Sequence, residues 1–143
     1  MTVKLFTAAQ FTATKWDTAE EKAAFANWLA DFIASDFPQT KFTKKRYTRL
    51  SMTFGHIAHY DIGGFWGTFF ESYQNKCQFI DITLRGGGYG DPAWTYCDVE
   101  RAIQAWLLSS KWPRHYHELA ASTAKAGRRA AYEALRAEFE DAA

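Results

Sequence analysis

Two histidines in the middle of the chain have the spacing and the neighbours that a metal site needs. His56 and His59 are separated by two residues, and Asp61 follows closely. If this stretch is helical, the two imidazoles lie one turn apart. Asp61, or Cys77 from elsewhere in the chain, would complete the shell, since imidazole, carboxylate and thiolate are common zinc ligands. The zinc-protease motif has one more residue between its histidines and a glutamate among them. The alternative is that both histidines pack among aromatic neighbours, so a metal site is the second-ranked prediction.

The segment from residue 41 to residue 49 concentrates positive charge. KFTKKRYTR contains five cations and no acid, although the net charge of the whole chain is only +1. Cations neutralise phosphates or acidic protein surfaces, and exposed rings stack on unpaired bases. The predicted binding residues of this segment are Lys41, Lys44, Lys45, Arg46, Tyr47 and Arg49. The equally weighted alternative is a solvated helix face whose rings point into the core.

Tryptophans beside turns extend this predicted binding surface. The chain has six tryptophans, and Trp28 and Trp106 lie on apolar stripes that predict core positions. Trp94 and Trp112 lie beside Pro-containing turns, where we expect them to be exposed. Exposed tryptophans are frequent anchors of protein interfaces, so both are predicted binding residues.

No catalytic set emerges from the remaining polar residues. The serines lack the sequence context of a nucleophile elbow, and either cysteine would need a tertiary contact with a histidine to become a nucleophile. Asp61 and Glu71 are ten residues apart, which is too far for two carboxyls on one helix to share a proton. The sequence therefore favours a protein that is not an enzyme and needs no cofactor.

Length and composition predict one globular domain over residues 1–143. Hydrophobic residues make up 48% and charged residues 23% of the chain, which is ordinary for a globular protein. Cys77 and Cys97 form no Cys-x-x-Cys motif, so we expect two free thiols in a reducing compartment. The apolar run near the N-terminus is too short for an export signal or a membrane span. We therefore expect a cytoplasmic protein without a membrane partner.

Capping residues and apolar periodicity predict three helices in the first half of the chain. Thr18 and Glu21 have the spacing of a capping box, and a stripe of apolar residues follows it at helical spacing. Thr43 starts a second predicted helix, although the alternation of Leu50, Met52 and Phe54 also permits a strand. The cations near the N-terminus of this helix oppose the helix dipole. That arrangement indicates a role for the cations other than helix stability. Gly63-Gly64 precedes a third predicted helix.

The later elements complete a mainly α prediction. Residues 77–84 fit a strand by composition and a helix by spacing, and the sequence does not decide between them. A further helix contains Val99, Ile103, Trp106 and Leu107, and Pro113 begins another. Gly127 is expected to separate that helix from a last one. The predicted fold is a compact bundle of about five or six helices, with α+β as the alternative if residues 77–84 form a small β element.

These features predict a non-catalytic protein that binds a protein or nucleoprotein complex, with nucleic acid as another partner. Small chains of this kind are frequent among phage and mobile-element accessory factors that inhibit a host defence complex, including anti-CRISPR and anti-restriction proteins. The ranked alternatives are the small metal-dependent hydrolase or metal-binding protein and, third, a small-molecule pocket lined by Phe65, Trp66, Phe69 and Phe70. The sequence carries no prediction of oligomeric state.

Overall fold

The chain folds as a bundle of α-helices. A computed structural model describes residues 5–53, 69–86 and 90–142, and no β-strand occurs in those three ranges. The α-helices described are α1 (Ala19–Ala34), α2 (Lys44–Thr53), α3 (Tyr73–Arg85), α4 (Cys97–Leu108) and α5 (Trp112–Ala142). Short 3-10 helices occupy Ala8–Gln10, Gln39–Lys41 and Phe69–Glu71. The prediction of a mainly α bundle is confirmed.

Helix α1 begins at the predicted capping box and supplies much of the core. The Glu21 amide donates to Thr18 Oγ1 at 3.1 Å, and the Thr18 amide donates to Glu21 Oε1 at 3.2 Å. This hydrogen bond from the Thr18 backbone lowers the pKa of Glu21. The predicted apolar stripe is buried at Phe25, Leu29, Phe32 and Ile33, while Trp28 packs partly buried against the same core.

Helix α3 resolves the ambiguity of residues 77–84 in favour of a helix. Ser72 caps it, since the Asn75 amide donates to Ser72 Oγ at 3.1 Å. Cys77, Ile80 and Thr83 are buried at three-residue spacing, so helical periodicity outweighs the strand preference of the β-branched residues. Of the predicted third helix, residues 65–68 lie outside the described residues.

Helix α5 is longer than the sequence predicts. Gly127 was expected to separate two helices, but it lies inside one continuous helix from Trp112 to Ala142. That prediction is wrong because a single glycine costs a helix only about 1 kcal/mol, and the alanine-rich neighbours favour helix. Near its N-terminus, Tyr116 is fully buried and its hydroxyl donates to the Ile33 carbonyl oxygen.

The turn after α1 inserts a ring into the core by way of an unusual backbone. Asp36 and Phe37 both have positive φ, at 66° and 52°, a conformation that costs an L-residue about 1–2 kcal/mol. The Phe37 ring is buried and stacks on Phe70 with ring centroids 4.8 Å apart. The Asp36 carboxylate accepts hydrogen bonds from Tyr73 Oη at 3.0 Å and Lys76 Nζ at 3.1 Å. These contacts offset the strain of the turn.

A fully buried lysine joins α1 to the start of α4. Lys22 Nζ donates to the carbonyl oxygens of Pro92 and Thr95 at 2.7 and 2.9 Å, and it lies 3.0 Å from Asp98 Oδ1. The other Asp98 oxygen accepts from the Thr12 amide at 3.0 Å. Three residues thus supply oxygens to the buried ammonium group, which satisfies its three donors.

The two cysteines are buried and free, as predicted. Among the described helices, none combines the length with the apolar content that a membrane span requires.

We expect Asp98→Ala to lower the free energy of unfolding by about 3–5 kcal/mol, because it leaves the Lys22 ammonium buried without its counter-charge. Adding Lys22→Met to that variant should restore part of the loss, so the two changes are not additive. Urea unfolding measures both effects, with the exposed Glu118→Ala as a control that changes stability by less than about 0.5 kcal/mol. Strictly additive effects would contradict a coupled buried pair.

Candidate surface for binding

Helix α2 presents its first-turn lysines to solvent. Thr43 precedes the helix, and its Oγ1 accepts from the Arg46 amide at 3.4 Å, in agreement with its predicted capping role. Lys44 and Lys45 are exposed, and neither forms an ion pair with any other described residue. Leu50 is buried on the opposite face. The helix therefore has one face in the core and one cationic face in solvent.

Arg46 is held on that surface by an aromatic ring. Its guanidinium carbon lies 4.9 Å from the centroid of the Trp28 ring, which is within the range of a cation–π interaction. Trp28 in turn stacks on Phe32 with ring centroids 4.7 Å apart. Burial, together with the nearby charge of Arg49, lowers the pKa of Arg46. Arg46 is thus a fixed, half-buried cation, whereas its two lysine neighbours are freely exposed.

Two of the predicted cations have acidic partners within the same chain. The Arg49 guanidinium nitrogens lie 2.7 and 2.8 Å from the two carboxylate oxygens of Asp17, whose side chain is fully buried. This ion pair joins α2 to the segment before α1 and identifies Arg49 as a structural residue. Lys41 Nζ lies 3.9 Å from Asp31 Oδ2, and both side chains are exposed, so this pair is weak and leaves Lys41 available at the surface.

Tyr47 does not belong to the exposed surface. Its exposed fraction is 5%, and its ring contacts the buried Phe42 with centroids 6.2 Å apart. The Tyr47 ring therefore lies in the core, as in the alternative in which the rings of this segment point inward. Helical spacing places residue 47 three positions before the buried Leu50, and so on the core side of α2.

An exposed pair of tryptophans lies near the same ion pair. Trp16 and Trp94 are 62% and 58% exposed, with ring centroids 5.9 Å apart in an edge-to-face arrangement. Trp16 directly precedes Asp17, the partner of Arg49 in α2. Trp94 lies in the turn that the buried Lys22 holds through carbonyl oxygens. The prediction of an exposed Trp94 agrees with this position.

Trp16 is not among the residues that the sequence predicts for binding, and Trp112 occupies a different position from the one predicted. Trp16 lies two residues before the helix cap Thr18, so the argument that selected tryptophans beside turns would also have selected it. Trp112 packs partly buried against the core, and Lys111 Nζ lies 4.8 Å from its ring centroid. It packs against the core at the start of α5. In the sequence it is far from the cationic face of α2.

The predicted metal ligands His56, His59 and Asp61 lie outside the described residues. A different group of three possible ligands forms between α3 and α5. Cys77, Asp81 and His117 each offer one ligand atom, and these atoms lie within 4.8 Å of one another. His117 Nε2 is 2.6 Å from Asp81 Oδ1, and Cys77 Sγ is 3.9 Å from Asp81 Oδ2.

The chemistry of this group differs from that of an activated nucleophile. Burial, followed by the adjacent Asp81 carboxylate, raises the pKa of the Cys77 thiol. A raised pKa keeps the thiol protonated at neutral pH, and the thiolate is the reactive form. Cysteine, carboxylate and imidazole are, however, all ligands of zinc. The group can therefore hold a divalent transition metal without being a catalytic Cys–His pair.

Comparison of the chain with protein-family models, with curated proteins and with solved structures finds no significant match.

We expect mutations that neutralise single cations of α2 to differ in their effect on stability, according to whether the cation is structural or lies on the surface. Arg49→Gln should lower the free energy of unfolding by about 2–3 kcal/mol, because it leaves the Asp17 carboxylate buried and unpaired. Lys45→Gln on the exposed face should change it by less than about 0.5 kcal/mol. Urea unfolding of the two variants compares them directly, and equal effects would contradict the division.

Proposed function

We propose that this protein is a non-catalytic binding protein that docks on an anionic surface of a protein or nucleoprotein complex. The observation that carries the proposal is the exposure of Lys44 and Lys45 in the first turn of α2. Positive charge at a helix N-terminus opposes the helix dipole, so these lysines do not serve the stability of the helix. Two adjacent surface cations are suited to steering an acidic partner into contact.

The neighbouring rings favour a protein surface over unpaired bases. Phe42 and Tyr47, the aromatic residues interleaved with the cations, are buried and cannot stack on a base. Two rings that are exposed in the described part of the chain, Trp16 and Trp94, instead contact each other edge to face. Tryptophans in this state are typical hot spots of protein interfaces. The docking surface that we propose combines the cations Lys41, Lys44, Lys45 and Arg46 with this tryptophan pair.

The biological setting that we propose is that of a phage or mobile-element factor inhibiting a host defence complex of the CRISPR or restriction type. The support is the small chain, the cationic docking surface and the lack of a catalytic set in the sequence. In that setting the acidic or phosphate-bearing face of the complex would be occupied by α2. Duplex nucleic acid alone is the rival partner and is distinguished by the same experiment.

The double variant Lys44→Glu/Lys45→Glu tests this surface. We expect this variant to capture less of the defence complex from the host without any loss of stability, because both side chains are exposed and acidic residues suit the first turn of a helix. Lys111→Glu/Arg114→Glu, directly before and within the first turn of α5, makes the same change in net charge and should capture the complex like the wild type. Unchanged capture by the α2 variant would remove α2 from the binding surface.

Fluorescence anisotropy with duplex and single-stranded oligonucleotides distinguishes the partner. If nucleic acid is the partner, the logarithm of the association constant should fall linearly with the logarithm of the salt concentration. The charge-reversed variant should show a slope that is less steep by about 0.9 for each phosphate contact removed. If an acidic protein is the partner, oligonucleotides should bind equally weakly to wild type and variant. Mutation of Trp94→Ala should then weaken capture of the complex by about 10-fold or more.

Binding of a divalent transition metal is a second candidate, favoured by the group formed by Cys77, Asp81 and His117. We expect Co²⁺ to produce a thiolate charge-transfer band that Cys77→Ser abolishes. Cys97→Ser is the matched control, because Cys97 is also buried and lies outside the group. The raised pKa of Cys77 means that metal must displace a proton, so affinity should increase as pH rises. A band that survives Cys77→Ser would contradict the site.

A further inference from the structure

The distal part of α5 extends away from the rest of the protein. From residue 121 to residue 140, every residue except the half-buried Ala124 is exposed. Tyr132, Leu135 and Phe139 are 64%, 55% and 75% exposed although they form an apolar stripe. An amphipathic helix is normally stabilised by packing of its apolar face. A stripe of three large apolar side chains in solvent therefore indicates a surface that another molecule covers.

The spacing of this stripe is that of a coiled coil. Steps of alternately four and three residues place the following residues on one face of the helix: Ala121, Lys125, Arg128, Tyr132, Leu135 and Phe139. These are the positions that contact a second helix in a heptad repeat. The apolar half of the stripe lies toward the C-terminus, and its other half is basic. The partner helix should therefore offer acidic groups where this stripe is basic.

The same helix contains the acidic groups that such a partner needs. Residues 125–129 contain three basic residues and no acid, and residues 137–141 contain three acids and no base. If Tyr132 lies level with Leu135 of a second, antiparallel copy, Arg128 lies level with Phe139 of that copy. Arg128 then meets an aromatic face between two glutamates, Glu138 and Glu140. A parallel pair would instead oppose like charges along the whole helix.

Charge placement within one chain supports the same conclusion. Acidic residues near the C-terminus of a helix oppose its dipole, and residues 137–141 have this arrangement. The ion pairs Arg129–Glu133 and Arg136–Glu140 are exposed, at 3.2 and 3.0 Å, and the arginine precedes the glutamate, which is the weaker order. The isolated helix is therefore poorly matched to its own charges, whereas an antiparallel copy would place basic segments beside its acidic end.

We propose that the protein forms a homodimer through antiparallel packing of the distal part of α5 on the same helix of a second copy. The contact is isologous, since both copies use the same surface patch and a two-fold axis relates them. The stripe Tyr132, Leu135 and Phe139 is its apolar centre, and the oppositely charged segments on either side set the orientation. The acidic terminal segment disfavours the other common occupant of such a helix, an anionic membrane surface.

Sedimentation equilibrium of the full chain tests the dimer. We expect a mass that rises with concentration toward about twice the chain mass of 16.3 kDa. Leu135→Glu should weaken the dimer about 30-fold or more, because it places a charge in the apolar centre. Leu108→Glu is the matched control, since Leu108 is an exposed leucine on α4, and it should dimerise like the wild type. A wild-type monomer at all concentrations, or equal behaviour of the two variants, would overturn the proposal.

Charge exchange tests the electrostatic match. Arg128→Glu/Arg129→Glu and Glu138→Arg/Glu140→Arg should each weaken self-association about 10-fold or more, because each brings like charges together. An equimolar mixture of the two variants should recover the dimer as a heterodimer. Failure of the mixture to associate, while both variants remain folded by circular dichroism, would contradict complementary segments.

Disulfide trapping tests the orientation. A mixture of Arg128→Cys and Phe139→Cys should form a disulfide between the two variants, and Arg128→Cys alone should form little. In an antiparallel pair the two copies of residue 128 lie about 16 Å apart along the axis at 1.5 Å per residue. The natural cysteines are buried and compete poorly. A disulfide between two copies of residue 128 would establish a parallel pair and overturn the proposal, as would a monomer that binds anionic vesicles through this helix.

Discussion

The position of α1 relative to the start of α4 depends on the burial of one ammonium group. Lys22 lies inside the protein, where an unpaired charge would cost several kcal/mol, and it has oxygen partners in the turn before α4 and in α4 itself. Each partner must therefore stay at a fixed distance from α1. Because Trp94 lies in that turn, the position of the tryptophan pair follows from the same requirement.

Local rules predicted most of the fold. The capping box at Thr18 and the stripe behind it depend on neighbours within one helix, and sequence spacing shows them directly. Residues 77–84 were ambiguous because both periods fit their apolar residues, and only packing on other helices decides between them. The continuity of α5 through Gly127 was missed since a glycine lowers helix stability without ending a helix, unless the chain also turns there.

The candidate surface was less predictable because tertiary contacts divide its residues. Nothing in KFTKKRYTR distinguishes Arg49 from Lys45, yet Arg49 meets the buried Asp17 from 32 positions earlier. Tyr47 could have been assigned to the core from its distance to Leu50. The sequence alone does not predict that His117 joins Cys77 and Asp81, because this group connects two helices. Only the pairing of Cys77 with Asp81 follows from their helical i, i+4 spacing.

Helix α5 also determines how the molecule moves in solution. Its 31 residues extend about 46 Å at 1.5 Å per residue. A compact chain of 143 residues has a radius of gyration of about 14–15 Å, which corresponds to a sphere about 38 Å across. A rod attached to a small body increases translational friction, so even one chain has a larger Stokes radius than its mass implies. Elution volume in size-exclusion chromatography would therefore overstate the molecular weight, because it reports shape and mass together.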